Sequence, residues 1–172
     1  LYGPQGTGLL LCNHEAAPLL YGGTGSLSKL QTMPDMLPDR LESGTHNMPG
    51  IAGLLEGIRY VQRTGVETIA AHERRLTAQA VALLRQTEGI RLFWRDGLRH
   101  QTGVLSFVVE GVDCEELGEA LARQGIALRA GLHCAPLAHR TVGTLKTGTV
   151  RFSPSAFNTS QQVVQFAQIL QR

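Results

Sequence analysis

One thiol lies among basic side chains near the C-terminal end of the chain. Arg129 and His133 precede Cys134, and His139 and Arg151 follow it. A thiol reacts as its thiolate, and neighbouring cations favour that ionised form. The spacing therefore predicts a nucleophilic thiolate held in an electropositive segment, with Cys134 as the reactive group.

The segment around Cys134 has the composition of a loop, because Gly131 and Pro136 interrupt regular structure on either side of it. We therefore expect the thiol to be accessible. Two other interpretations compete with this one. Cys134 could be a small buried apolar residue, as most free cysteines are. It could also ligate a metal together with His133 and His139, but the spacing matches no standard zinc site, so no metal is predicted.

Two further segments are suited to bind anions. Arg151 ends a predicted strand, where its guanidinium could hold a carboxylate through two hydrogen bonds. Thr45 lies directly before a predicted helix, where a hydroxyl and backbone N–H groups suit a phosphate. An ordinary surface arginine and an ordinary helix cap would explain nearly the same residues, so both alternatives stay open.

Composition excludes several classes of protein. The 172 residues are 42% apolar and 17% charged, which is typical of a soluble globular chain. A net charge of +2 with scattered arginines indicates neither a nucleic-acid nor a membrane surface. Three cysteines without a CxxC pair predict free thiols in a reducing, cytoplasmic setting. Of these, we interpret Cys12 as structural in a buried strand and Cys114 as structural at a helix start.

The first third of the chain reads as the middle of a domain. It begins at Leu1 without a methionine, and an apolar run at residues 9–12 predicts a buried strand with neighbours on both sides. Residues 13–48 have no sustained period and are expected to be irregular. A helix should follow, with the apolar residues Ile51, Leu54, Leu55, Ile58 and Val61 on one face, and should end near residue 63.

From residue 64 onward the pattern alternates between helix and strand. A capping box at residues 64–67 predicts a second helix that continues toward Gly89. Asp113 should cap a third helix, which ends at Gly125, and Thr159 with Gln162 should begin a closing helix. Strands are predicted at residues 90–94, 104–109, 126–129 and 149–152, with a polar turn at 95–102. The order predicts an α/β fold with helices packed on a small sheet.

Together these motifs resemble the pyridoxal-phosphate enzymes of aminotransferase class V, specifically the cysteine desulfurase and selenocysteine lyase group. The resemblance rests on four segments in order. They are Leu-Tyr-Gly-Pro-Gln-Gly-Thr-Gly at residues 1–8, Arg-Leu-Glu-Ser-Gly-Thr-His-Asn at 40–47, Arg-x-Gly-x-His-Cys-Ala at 129–135, and Arg-Phe-Ser at 151–153 with Phe-Asn-Thr at 157–159.

The resemblance implies a fold, a cofactor and a role for each matching residue. The fold would be the C-terminal portion of an aspartate aminotransferase-like (fold type I) enzyme. Cys134 would take sulfur from L-cysteine as a persulfide, Arg151 would hold the substrate carboxylate, and Arg129 and His133 would support the loop. Thr45 would bind the phosphate of pyridoxal 5'-phosphate in the partner subunit of a homodimer. A sulfur-acceptor protein, as in iron–sulfur cluster assembly, would then take the sulfur.

The chain also departs from the family pattern. The Schiff-base lysine would fall before Leu1, and neither Lys29 nor Lys146 lies in such a motif. We therefore expect residues 1–63 to be the tail of the large cofactor domain with a connecting helix, and residues 64–172 to be the small domain. Alone, the chain should neither bind the cofactor covalently nor turn over cysteine. A selenocysteine lyase, another class V enzyme, and an inactive dimerisation fragment remain alternatives.

Overall fold

The first part of the chain is mostly irregular and ends in one long helix. The computed structural model describes residues 1–94 and 100–171, so part of the predicted turn at 95–102 lies outside the described residues. The chain divides into two units, Leu1–Thr64 and Gly65–Arg172. In the first unit, helix α1 spans Met48–Thr64, as predicted. Residues 13–47 are irregular apart from two single 3-10 turns, Gly25–Leu27 and Asp39–Leu41, which confirms the irregular segment predicted at 13–48 up to the start of α1.

Helix α1 packs through glycines and Leu54, while other large apolar residues of the helix are exposed. Ile51 and Leu55 are each 46% exposed, whereas Gly50, Leu54 and Gly57 are buried. The segment at residues 1–4 lies against Gly53 and Gly57, and a Cβ added at Gly57 would collide with the backbone there. The predicted helix is confirmed, and Leu54 of its expected apolar face is buried, but the predicted burial of Ile51 and Leu55 is wrong. Close backbone approach needs residues without a side chain, so glycine takes part of the contact face.

The strand predicted at residues 9–12 is wrong. Leu9, Leu10 and Leu11 are 61%, 74% and 91% exposed and belong to no sheet among the described residues. A strand that is apolar on both faces forms only where neighbouring strands and helices cover it, and the described residues supply no such cover. Cys12 is exposed as well, so its predicted burial is also wrong.

The second unit is a two-layer arrangement of helices on one antiparallel sheet. Its elements are α2 (Val66–Leu84), β1 (Ile90–Phe93), β2 (Leu105–Val109), α3 (Cys114–Arg123), β3 (Arg129–Gly131), α4 (Pro136–Thr141), β4 (Thr149–Phe152) and α5 (Ser160–Leu170). The strands lie in the order β1-β2-β4-β3, and every neighbouring pair is antiparallel. The predicted α/β fold is confirmed.

The core lies between the sheet and the helices α2, α3 and α5. Inward side chains of β2 and β4 meet Phe166, whose ring stacks on Phe152 at 5.2 Å between centroids. Alternation along a strand sends every second side chain to this face and the remainder to the other. Among the described residues, no helix combines the length and apolar character that a membrane span requires.

Local caps decide where the helices of this unit begin. Asp113 accepts hydrogen bonds from the N–H groups of Glu115 and Glu116 at the start of α3, as predicted. Thr159 and Gln162 form a capping box at α5, also as predicted. The capping box at residues 64–67 is wrong: Thr64 stays in α1, and Gly65, with φ +87°, ends one helix and starts the next.

Two boundaries near Cys134 also differ from the prediction. Strand β3 begins at Arg129, not at residue 126. In the β3–β4 register, residues before Leu128 would have to pair with Ser153 and Pro154, and proline cannot donate to a ladder. Pro136 does not extend a loop but stands at the first position of the short helix α4, where its missing N–H costs nothing.

Candidate active site

A row of polar side chains crosses the sheet on the face opposite the core. Arg151 on β4 is paired with Ser106 on β2 and with Arg129 on β3. Their neighbours along the strands, such as Val150 and Phe152, are buried in the core. Paired residues project to the same side of a sheet, with their Cβ atoms roughly 5 Å apart. The two guanidinium groups therefore share one open face, although 22 positions separate them in the chain (151 − 129).

Neither arginine has an acidic partner among the described residues. Within residues 1–94 and 100–171, no ion pair involves Arg129 or Arg151. The Arg151 Nε atom is buried and makes no hydrogen bond there. Two like charges at paired positions are destabilising on their own, and a buried donor without a partner adds to that cost. The arrangement suits an anionic ligand, and a carboxylate would satisfy the planar guanidinium of Arg151.

Cys134 lies at the edge of this face. Its side chain is exposed, and the Arg129 Nη2 donates a hydrogen bond to its Sγ at 3.6 Å. The interpretation of Cys134 as a buried apolar residue is therefore wrong. A cationic donor in contact with sulfur stabilises the thiolate, the form that attacks electrophiles and forms persulfides. The predicted pairing of the thiol with Arg129 is present.

His133 lies close to this cationic group but does not add to its charge. Burial lowers the pKa of His133 below its usual range, and the charges of Arg151, His139 and Arg129 lower it further. The imidazole is therefore neutral near neutral pH, and our expectation that it supplies a positive field is wrong. His139 does not face the thiol: it is buried, and its Nδ1 lies 2.8 Å from Thr144 Oγ1.

The depressed pKa of His133 predicts a pH-dependent loss of stability. An unfolded histidine titrates near 6.5, so between that value and the lower folded pKa the unfolded chain binds more protons. The contribution of His133 is then present above about pH 6.5 and is lost as the pH falls through the folded pKa. We expect His133→Gln to reduce the fall in unfolding free energy between about pH 7.5 and pH 5, measured by urea titration with Trp94 fluorescence. An equal fall in both proteins would contradict the pKa shift.

Cys114 packs beside Gly131 and Gly148, the two residues at the ends of the segment that carries Cys134. Burial raises the pKa of the Cys114 thiol, while a hydrogen bond with the Gly131 backbone acts in the opposite direction. A Cβ added at Gly148 would lie 2.8 Å from Cys114 Sγ and 3.0 Å from Gly131 Cα, and Gly148 has φ +64°. The structural role predicted for Cys114 is thus supported by its burial and packing. Its sulfur packs against the ends of the segment that carries Cys134.

Thr45 belongs to a separate candidate site in the first unit. The residues around it line a cavity: Gly25, Ser26, Gly44, Thr45 and His46. The Asn47 carboxamide oxygen caps α1 by accepting from the Gly50 N–H at 3.0 Å, so the helix-cap interpretation holds for Asn47. The exposed Thr45 hydroxyl makes no hydrogen bond within the described residues. Hydroxyls, an imidazole and flexible glycine backbone are suited to a phosphate.

Two residues of the candidate site were not predicted from the sequence. Thr149 contacts the His133 ring through both its hydroxyl and its carbonyl oxygen, and Ser106 lies beside Arg151. The alternation along residues 104–109 and 149–152 could have indicated both, because Ser106 and Thr149 are polar positions within apolar strands. Within the described residues, no cluster of three or more potential metal ligands occurs.

Known proteins are similar to this chain in both sequence and fold. The family model for aminotransferase class-V matches residues 1–166. A cysteine desulfurase of Synechococcus elongatus is 39% identical over an alignment that covers 100% of this chain and 28% of that protein. A probable cysteine desulfurase of Xylella fastidiosa is 33% identical, with 96% of this chain and 40% of that protein covered.

A solved structure agrees with this relationship. The apo cysteine desulfurase from Thermococcus onnurineus NA1 superimposes with a TM-score of 0.72 at 32% identity, covering 78% of this chain and 33% of that one. The chain thus spans less than half the length of these relatives. Since the family model covers nearly all of its residues, the chain belongs to the aminotransferase class-V family.

Proposed function

We propose that this chain is the C-terminal part of a cysteine desulfurase, which converts L-cysteine to L-alanine and retains the sulfur as a persulfide on Cys134. Residues 1–63 would be the tail of the large cofactor domain with its connecting helix, and residues 64–172 the small domain. The observation that carries the proposal is the exposed Cys134 thiol, 3.6 Å from the Arg129 guanidinium, on the same sheet face as Arg151, which has no acidic partner in the part of the chain that the structure describes.

The proposed reaction assigns one task to each side chain. The Cys134 sulfur attacks the sulfur of the bound cysteine, so that an S–S bond forms and the substrate C–S bond breaks. The substrate carbon gains a proton and leaves as alanine, and Cys134 keeps the persulfide, so atoms and electrons balance. Arg129 stabilises the attacking thiolate through its contact with Sγ. Arg151 binds the substrate carboxylate and so fixes the distance between the two sulfur atoms.

Pyridoxal phosphate is the cofactor of the class-V family, and the residues of this chain are compatible with it. When bound, it supplies an electron sink for the amino-acid substrate. The cavity at Gly44, Thr45 and His46 presents hydroxyl and imidazole groups, and its lining contains no carboxylate among the described residues. The nearby Asp39 carboxylate lies 4.0 Å from His46 Nε2. We infer that Thr45 contacts the cofactor phosphate of the partner subunit in a homodimer, and that a separate acceptor protein, of the kind used in iron–sulfur cluster assembly, removes the sulfur from Cys134.

The experiment uses the longer enzyme of which this chain would be the C-terminal part, purified with pyridoxal phosphate. Incubation with L-cysteine should give alanine in an amount equal to the persulfide formed, and mass spectrometry should find one extra sulfur atom on the peptide that contains Cys134. A thiol reductant should then release sulfide. Formation of a keto acid in place of alanine, or alanine without sulfur on Cys134, would overturn the proposal in favour of another class-V reaction.

A further inference from the structure

The turn that carries Cys134 has an unfavourable backbone. His133 has φ +52° and Cys134 has φ +59°, so two consecutive residues with side chains occupy the left-handed region. Only glycine adopts this region freely, and such residues persist only where surrounding contacts hold them. Cys134 is exposed, and its side chain contacts Arg129. The Ala135 N–H closes the turn by donating to the Leu132 carbonyl at 2.9 Å, and His133 supplies further side-chain contacts that hold it.

The His133 ring lies 5.7 Å from the His139 ring between centroids, and its hydrogen-bonded nitrogen contacts one residue of strand β4. Its Nε2 lies 3.1 Å from the carbonyl oxygen of Thr149 and 3.0 Å from the hydroxyl oxygen of the same residue. A carbonyl oxygen only accepts, so Nε2 carries the hydrogen and Nδ1 is left unprotonated. The opposite tautomer would bury an N–H donor, because Nδ1 is buried and has no partner in the described part of the chain.

Thr149 is well placed to transmit this constraint. It is 2% exposed, is paired with Gly131 on β3, and precedes Arg151 by two residues on the same strand. Because side chains alternate along a strand, Thr149 and Arg151 project to the same face of the sheet. Thr149 therefore connects the turn that holds the thiol to the strand that carries Arg151.

We propose that Thr149 is a positioning residue for Cys134: its two oxygen atoms hold the His133 imidazole, and through it the left-handed turn that keeps the thiol against Arg129. The inference deepens the proposed desulfurase function and rests on it for its biological meaning. Its physical content, however, concerns only the reactivity of the Cys134 thiol in this chain. Thr149 itself touches no reacting atom.

Loosening the turn changes two properties of the thiol in opposite directions. Access of a reagent to sulfur would rise little, because Cys134 is already exposed. Contact with the Arg129 guanidinium would be lost as His133 and Cys134 relax toward ordinary backbone angles, and with it the stabilisation of the thiolate. The second effect dominates, so a weaker anchor should make Cys134 less reactive.

The test measures alkylation of the intact 172-residue chain by iodoacetamide, with each cysteine followed separately by peptide mass spectrometry. Cys12, which is exposed and lies in the other unit, is the internal reference. Thr149→Val removes the hydroxyl but keeps the shape and the carbonyl, and should lower the Cys134-to-Cys12 rate ratio about fivefold, as expected for the loss of one hydrogen bond. Thr149→Ser, which restores the hydroxyl, should return the ratio to that of the parent chain.

Thr141→Val is the matched control, because it removes a hydroxyl bonded to the Leu137 carbonyl on the exposed side of α4 and should leave the ratio unchanged. If Trp94 fluorescence shows that Thr149→Val is unfolded, His133→Ala removes the same anchor from its other end and should give the same fall. An unchanged ratio in the folded variant, or an equal fall in Thr149→Ser, overturns the inference. The readout needs no cofactor or cysteine, so it can fail or succeed independently of the proposed desulfuration.

Discussion

Replacing Cys134 by alanine will abolish sulfide release from L-cysteine in the longer enzyme, with a loss of at least about a hundredfold, as is usual when a covalent nucleophile is removed. Of the other two thiols in this chain, Cys114 is unsuited to the task, because it is buried and burial raises the pKa of its thiol.

The matched control for this prediction is Cys12→Ala, which removes an exposed thiol of the first unit and should leave sulfide release unchanged. Sulfide would be measured colorimetrically in the presence of a thiol reductant. Retention of desulfuration by Cys134→Ala would show that sulfur leaves the substrate without a protein persulfide. Selective retention of selenide release from selenocysteine by this variant would instead favour the selenocysteine lyase alternative.

Arg151→Gln should raise the KM for L-cysteine by roughly tenfold to a hundredfold, because charge-assisted hydrogen bonds contribute about 1.5–3 kcal/mol. The KM of Arg151→Lys should lie between those of the parent enzyme and Arg151→Gln, since an ammonium group keeps the charge but cannot bind a carboxylate through a planar pair of donors. Steady-state kinetics of sulfide release give both KM and kcat for each protein.

A substrate without the carboxylate separates this role from a structural one. With cysteamine, the parent enzyme and Arg151→Gln should behave alike, because the group that Arg151 binds is absent. Arg123→Gln is a control at an exposed arginine that pairs with Glu119 on α3. It should leave KM and kcat unchanged for both substrates. If Arg151→Gln raised the KM for cysteamine as much as the KM for cysteine, Arg151 would support the folded site and would not bind the carboxylate.

Stability measurements add a second check on Arg151. Arg129 and Arg151 are paired like charges without an acidic partner in the described residues, so Arg151→Gln relieves repulsion. We expect its unfolding free energy, followed through Trp94, to equal or exceed that of the parent chain. Stability is commonly lowered at binding sites in this way, because the charges are arranged for the ligand and not for the empty fold.

Most helices and strands of the second unit could be predicted because their signals are local. Asp113 and Thr159 cap the helices that follow them, and alternation of apolar residues marks β2 and β4. The failures concern segments whose conformation depends on distant neighbours. Residues 9–12 are apolar enough for a strand but have no covering partners in the described residues, and β3 is limited by Pro154 across the ladder.

The sequence by itself determined which side chains carry the chemistry: a thiol among basic residues, an arginine at a strand end, and a threonine before a helix. Only the tertiary structure decided which of them are neighbours and in what charge state. Strand register brings Arg129 beside Arg151 and Gly131 beside Thr149, and register depends on which face of each strand is buried. Burial beside these arginines also makes His133 neutral, since the cost of a charge depends on its surroundings and not on its place in the chain.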